Sequence, residues 1–460
     1  MPESAPPISG PLRAWLSELS VDLAARRRDH QWRSLPAVLT RQGPEINIDG
    51  KTCVQFCSNN YLGLAAHPEV VDAVRRALTA WGFGAGASRL VGGSAAPHQE
   101  LERALAAFKG VEAALLFSSG YVANLAALTT LAGPADRIIS DKLNHASLLD
   151  AARFSGAEHR IFGHLNYKRA AFLLARPARL RAAASSAARR VTAPPGDSPA
   201  APSLGSPAGA AAVAAPAPEG GDIGGVAGRD FLVTDTVFSM DGDLANLREL
   251  CALGRRYHAL VMIDEAHATG VLGPDGRGVA ALQEVEGEIA LSVGTLSKAL
   301  GAVGGFICGS QVVIDALINR ARGFIYTTAA PAVSSAAALA ALQVARREPQ
   351  RRQRVLSLAQ QVRDQLAALG YRCAASPSPI VPLILGSSDA ALQAAQWLRE
   401  HGLYVPAIRP PTVAPQSARL RISLSAAHSD EHIARLLAAL RQLRDAMPHL
   451  IADRRNLLYC

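Results

Sequence analysis

Cysteine is scarce in this chain. Its 460 residues carry six, Cys53, Cys57, Cys251, Cys308, Cys373 and Cys460, and no two form a CxxC pair. That argues against both a disulfide framework and a zinc site, and it suits a reducing compartment. Zinc-finger spacing and aromatic–basic runs are also missing, so nucleic acid is not an expected partner. Met1–Gly10 holds three prolines and one acid instead of a basic segment leading into an apolar core. No secretory leader is visible there, and a cytoplasmic protein is expected. Charge is absent from two long stretches, Ala113–Ala135 and Gly323–Ala345. Their serines, threonines, glycines and prolines argue against membrane spans and for buried helices entered through polar loops.

With 49% hydrophobic and 18% charged residues, the chain can bury a large core, built as one large domain with smaller ones. The net charge of +9 would favour an anionic ligand such as a nucleotide-bearing thioester, but the basic residues are scattered. Solvated surface charge explains them better.

Strand-like runs Phe231–Asp235, Leu260–Asp264, Ala290–Val293 and Gly305–Cys308 alternate with helical segments such as Leu247–Tyr257. This is the pattern of an α/β fold with a mostly parallel central sheet covered by helices. Beyond about Ala345 a charged helix precedes strands at Val381–Leu385, Tyr404–Ile408 and Leu420–Leu424. A last helix there places Ile433, Leu436, Leu437, Leu440 and Leu443 on one face, giving a small α+β C-terminal domain. The expected divisions are an N-terminal segment 1–60, a large domain 61–345 and a small domain 346–460. Ala, Pro, Gly and Ser dominate from Arg176 to Gly228. Such a segment has too few large apolar groups to offset its ordering entropy, so a disordered surface insertion with no catalytic role is expected.

Asp264 ends one apolar run, and Lys298 follows in Gly294-Thr295-Leu296-Ser297-Lys298-Ala299-Leu300-Gly301. A lysine amine can bond covalently to the aldehyde of pyridoxal phosphate, while a buried carboxylate holds the pyridine nitrogen protonated and makes the ring an electron sink. Either residue alone would be ordinary: a solvated lysine, a loop-capping aspartate. Ligands of open α/β sheets gather at the carboxyl ends of strands, where Asp264, Ser239 and Lys298 all fall.

Ser118-Ser119-Gly120-Tyr121 leads into an apolar helix whose amides can face a phosphate, with hydroxyls of Thr295 and Ser297 as further contacts. Gly82-Phe83-Gly84-Ala85-Gly86 lacks both the spacing and the preceding strand of a dinucleotide fingerprint. A permissive loop, either near a ligand or merely flexible, fits it better. His145 and His267 are candidates for contacting the cofactor ring, although histidines are more often satisfied structural groups. Ser239 is by default a turn residue.

Together these segments resemble fold-type I pyridoxal phosphate enzymes, and among them the α-oxoamine synthases, which condense an amino acid with an acyl thioester. The resemblance covers nearly the whole chain. It runs in family order through Ser58-Asn59-Asn60-Tyr61-Leu62-Gly63-Leu64, the glycine loop to Gly93, Ser119-Gly120-Tyr121, His145-Ala146-Ser147, Thr236–Asp243, Asp264–Gly270 and Thr295–Lys298.

The resemblance implies a seven-stranded central sheet and pyridoxal 5'-phosphate bonded to Lys298, with Asp264 on the ring nitrogen and His145 stacked on the ring. Ser239 and His267 would contact the ring oxygen, and Ser119, Gly120, Tyr121 and Thr295 would hold the phosphate. Thr327 and Thr328 resemble residues that reach the neighbouring subunit's phosphate, implying a homodimer with shared sites.

Ala407-Ile408-Arg409-Pro410-Pro411-Thr412-Val413 and Arg419-Leu420-Arg421-Ile422-Ser423 are most similar to members that join L-alanine to a pimeloyl thioester. By that likeness Arg421 grips the amino acid carboxylate, with Asn59 and Thr412 near substrate and Arg33 on the acyl side. Members that use glycine or serine share the chemistry, and the Arg409–Thr412 segment argues against them. Retention of both Lys298 and Asp264 disfavours a non-catalytic binding protein. The acyl carrier, coenzyme A or a carrier protein, stays open, and the Arg176–Gly228 insertion is the one departure from the family pattern.

Overall fold

A computed structural model describes residues 9–176, 228–371 and 376–448. The expected insertion at 176–228 falls almost wholly outside the described residues. In the small N-terminal sheet, β1 (Glu45–Ile48) and β2 (Lys51–Gln55) form a hairpin. The central sheet uses β3 (Ala113–Phe117), β4 (Arg137–Asp141), β5 (Glu158–Phe162), β6 (Asp230–Asp235), β7 (Ala259–Asp264), β8 (Ile289–Thr295) and β9 (Gly305–Gly309). Their order is β3-β9-β8-β7-β6-β4-β5, and every neighbouring pair is parallel except those of β9, which runs against both β3 and β8. The mostly parallel seven-stranded sheet of a fold-type I enzyme is thus present.

Parallel strands covered on both faces need apolar side chains in both directions. In β7, Val261 and Ile263 enter one core and Met262 the other. The helix Leu247–Tyr257 feeds β7. Asn246 caps its first turn by accepting the Glu249 amide at 3.2 Å, and His258 ends it in the left-handed region at φ 55°.

The register of β6 on β7 sets Asp235 directly opposite Asp264, and β8 sets Val293 opposite Asp264. Two carboxylates therefore stand side by side at the carboxyl edge of the sheet, and the segment to Lys298 emerges beside them.

The C-terminal part holds β10 (Ile380–Gly386), β11 (Leu403–Tyr404), β12 (Ala407–Ile408) and β13 (Ala418–Ser423), followed by the helix Asp430–Ala446. The expected strand 404–408 is broken. Pro406 has no N–H to donate, and the chain changes sheets around it: β11 pairs with β2, β12 with β13. The N-terminal hairpin thus shares a sheet with the C-terminal region. A second expectation is corrected at 113–135. Only its second part is a helix, Gly120–Leu131; the first is β3, fully buried between helices, and a continuous apolar run does not distinguish the two states. Among the described residues no helix is long and apolar enough to cross a membrane.

Candidate active site

Lys298 follows β8 by three residues and is half-buried. Its amine makes no hydrogen bond or ion pair with the described residues. Burial lowers its pKa to about 8; Asp264 and Asp235 oppose this by attraction, and Arg421 adds to it by repulsion. Asp264 Oδ2 accepts Asn124 Nδ2 at 2.6 Å, and Oδ1 accepts the Ala266 amide at 2.8 Å. Its backbone carbonyl takes both the amide and the hydroxyl of Thr236, at 2.9 and 3.0 Å. The carboxylate is therefore held in one orientation. Asp235, fully enclosed beside it, has its carboxyl pushed well above the usual range by burial and then by the charge of Asp264.

His145 caps the helix Ala146–Phe154, and its amide donates to Asp235 Oδ2 at 2.6 Å. Burial lowers the imidazole pKa; Asp264 works against that and Lys298 with it. His267 is buried, and burial followed by the charges of Lys298, Arg421 and His145 drives its pKa well below the ordinary value. Tyr61 OH lies 2.7 Å from His267 Nδ1 and 3.2 Å from Asn59 Oδ1.

Arg421 is buried on β13. Its Nε donates to the Ser239 carbonyl at 2.5 Å, Nη1 to Ser423 Oγ at 2.8 Å, both Nη groups to Asn59 Oδ1 at 3.2 Å, and Nη2 to Tyr61 OH at 3.3 Å. None of these partners is a carboxylate, so the guanidinium keeps its charge for an anionic ligand.

On the opposite side, Ser119 caps the helix Gly120–Leu131, its hydroxyl accepting the Val122 amide at 3.2 Å. A side chain at Gly120 would meet Thr295 Cβ at 3.4 Å, which brings the helix N-terminus against the end of β8. Thr295 Oγ1 bonds Ser297 Oγ at 2.7 Å and the Gly304 carbonyl at 2.9 Å. The Tyr121 phenol turns away to Asp150 Oδ2 at 2.5 Å. Thr327 and Thr328 line one cavity with Ser118, Leu296 and Arg89. Arg33 Nη2 donates to Thr412 Oγ1 at 3.3 Å at the exposed rim. Arg409 ties the same loop to the carbonyls of His30 and Trp32. No hydrogen bond joins Arg33 or Thr412 to the Lys298 cluster.

Lys298, Asp264, His145, His267 and Arg421 thus sit within one electrostatic neighbourhood. Sequence reasoning did not single out Asp235, Tyr61 or Asn124. Asp235 ends a strand as Asp264 does, and that was its only signal. An uncommitted amine of lowered pKa, a pinned carboxylate and a helix N-terminus with adjacent hydroxyls match the aldehyde, ring nitrogen and phosphate of pyridoxal phosphate.

The family model of aminotransferase class I and II matches residues 51–440. An 8-amino-7-oxononanoate synthase from Stutzerimonas stutzeri is 43% identical over 95% of this chain and 99% of that protein. The chain belongs to the 8-amino-7-oxononanoate synthase family. A family member from Ectopseudomonas mendocina is 42% identical over 95% of this chain and all of that protein, 100%. Among solved structures, a serine palmitoyltransferase variant from S. paucimobilis with bound PLP is similar, with a TM-score of 0.81 and 29% identity over 94% of this chain and 99% of that one. The 8-amino-7-oxononanoate synthase of Francisella tularensis shares the fold, with a TM-score of 0.66 and 24% identity over 86% of this chain and 99% of that one. The protein is a pyridoxal phosphate-dependent transferase of the acyltransferase type.

Proposed function

We propose that the enzyme condenses L-alanine with a pimeloyl thioester, releasing the thiol carrier and carbon dioxide and forming 8-amino-7-oxononanoate for biotin synthesis in the cytoplasm. Bound pyridoxal phosphate supplies the electron sink for charge developing at the amino acid Cα. Lys298 is the covalent anchor for the cofactor and the base that takes the Cα proton, a task suited to an amine that titrates near pH 8. With the cofactor bound, Asp264 would face the ring nitrogen and His145 would stack on the ring. Ser239 and His267 would contact the ring oxygen, and Ser119, Gly120, Tyr121 and Thr295 would hold the phosphate.

Arg421 binds the alanine carboxylate through its charged fork, oriented by Asn59 and the Ser239 carbonyl. Arg33 and Thr412, bonded to each other at the rim, meet the acyl substrate. Thr327 and Thr328 reach the phosphate of a second copy, so the working unit is a homodimer with shared sites.

The observation that carries this reading is the convergence of the uncommitted Lys298 amine, the pinned Asp264 carboxylate and the Arg421 guanidinium. The 8-amino-7-oxononanoate synthases at 43 and 42% identity favour alanine and a pimeloyl group. The fold likeness to serine palmitoyltransferase keeps serine with a long acyl chain as the alternative. Turnover of alanine, glycine and serine is to be measured against pimeloyl, acetyl and palmitoyl thioesters. Alanine with pimeloyl should exceed every other pair at least tenfold, and preference for any other pair overturns the proposal.

A further inference from the structure

Asn124 lies on the inner face of the helix Gly120–Leu131, 1% exposed. Its amide nitrogen donates in two directions, to Asp264 Oδ2 at 2.6 Å and to Ser147 Oγ at 2.9 Å. Its Oδ1 is enclosed without a partner among the described residues. Exchanging the amide's oxygen and nitrogen would aim a carbonyl oxygen at the Asp264 carboxylate, so the orientation follows from charge. Ser147, also fully enclosed, stands 2.7 Å from His145 Nδ1, and the Ser147 backbone amide donates to the same nitrogen at 3.3 Å.

Donors and acceptors along this chain leave one arrangement. A carboxamide nitrogen only donates, so Ser147 Oγ accepts from Asn124, and the hydroxyl proton is free for His145. Nδ1 already faces one N–H donor, so a proton there would oppose it. Nδ1 is therefore the acceptor, and the imidazole hydrogen resides on Nε2.

We propose that Asn124 and Ser147 are positioning residues: one amide fixes the carboxylate of Asp264 and, through the Ser147 hydroxyl, sets His145 in its Nε2–H tautomer. Resting on the reading that Asp264 and His145 both face pyridoxal phosphate, this links the group at the ring nitrogen to the group on the ring face. The link joins two helices and a strand end, since Asn124, Ser147 and Asp264 belong to different elements. The lowered pKa of His145 agrees with a neutral ring.

The test is ¹⁵N NMR of the cofactor-loaded enzyme labelled in its histidine rings, with His145→Gln identifying the His145 signals. In the wild type the His145 signals should be those of the Nε2–H form across the neutral range. Ser147→Ala and Asn124→Ala should each move at least a fifth of the population to the Nδ1–H or doubly protonated form, on the order of the shift one lost neutral hydrogen bond allows. In the same two variants kcat should fall about tenfold with the KM for alanine within about twofold, since Arg421 is untouched. Ser147→Ala is the milder change, and its melting curve beside that of the wild type shows that it folds. An Nδ1–H signal in the wild type, or unchanged tautomers in folded Ser147→Ala, overturns the proposal. Cofactor absorbance separates the underlying reading: spectra of Asp264→Asn and His145→Gln identical to wild type would refute their placement at the cofactor.

Discussion

At Lys298 burial outweighs attraction. Two neighbouring aspartates favour the ammonium, yet the amine's pKa falls to about 8 from 10.5. In the cofactor-free protein the unfolded chain therefore binds a proton that the folded one lacks between these values. The group's cost to folding is full below pH 8 and fades as the pH rises toward 10.5. An amine-reactive reagent should modify Lys298 with a midpoint near pH 8, well before ordinary surface lysines. Lys298→Ala should remove that reactive class and lower turnover by at least about a thousandfold; activity near wild type, or no early-reacting amine, contradicts the assignment. Lys298 and Asp264 could be read from the sequence because few chemistries need that pair of groups. The roles of Tyr61 and Asn124 could not, because their partners His267 and Asp264 are 206 and 140 residues away.

Among the elements, the turn Ser239–Asp243 is held from both sides. The C-terminal sheet grips it through Arg421 on Ser239, Arg419 on Met240 and Asp241, and Ser378 on Gly242. The central domain grips it through His164, whose nitrogens lie 3.0 Å from Asp141 Oδ1 and 2.7 Å from Asp243 Oδ2. Burial alone would lower the His164 pKa, but hydrogen bonds to Asp141 and Asp243 and their charges raise it to about 10 from 6.5. Its contribution is complete below pH 6.5 and is lost as the pH climbs through about 10. The stability difference between the wild type and His164→Gln should be roughly 2 kcal/mol near pH 6 and close to nil above pH 10. Denaturant titration at several pH values checks this, and a difference that grows with pH would contradict it.

Element type was legible where periodicity and length agreed: the helix Leu247–Tyr257 and the strands ending at Asp235 and Asp264 stand where the sequence puts them. The edge strands β3 and β5, and β4 beside β5, were not anticipated. Their runs are short, and β3 and β4 pair with β9 and β6, distant in the chain, a relation that no local pattern records.

For the molecule as a whole, the helix Gly10–Arg28 has no buried residue and exposes Leu12, Trp15, Leu16 and Leu19. A helix with no packed face gains little from propensity alone. Phe83, Val91 and Tyr326 are also exposed, and Tyr326 directly precedes the threonines proposed to cross between subunits. Sedimentation should give twice the 48.2 kDa chain mass. Trp15→Glu combined with Leu19→Glu should shift the population toward single chains; a wild type that sediments as one chain would contradict shared sites.

The parallel pairing of β2 with β11 joins Val54 to Leu403, far apart along the polypeptide. During synthesis the early hairpin must leave the ribosome with one strand lacking its neighbour, and Asn59 must wait for the arginine it orients. A nascent chain stopped before residue 403 would thus carry the lysine and both strand-end acids yet lack a finished pocket, so binding competence waits for the stretch through Arg421.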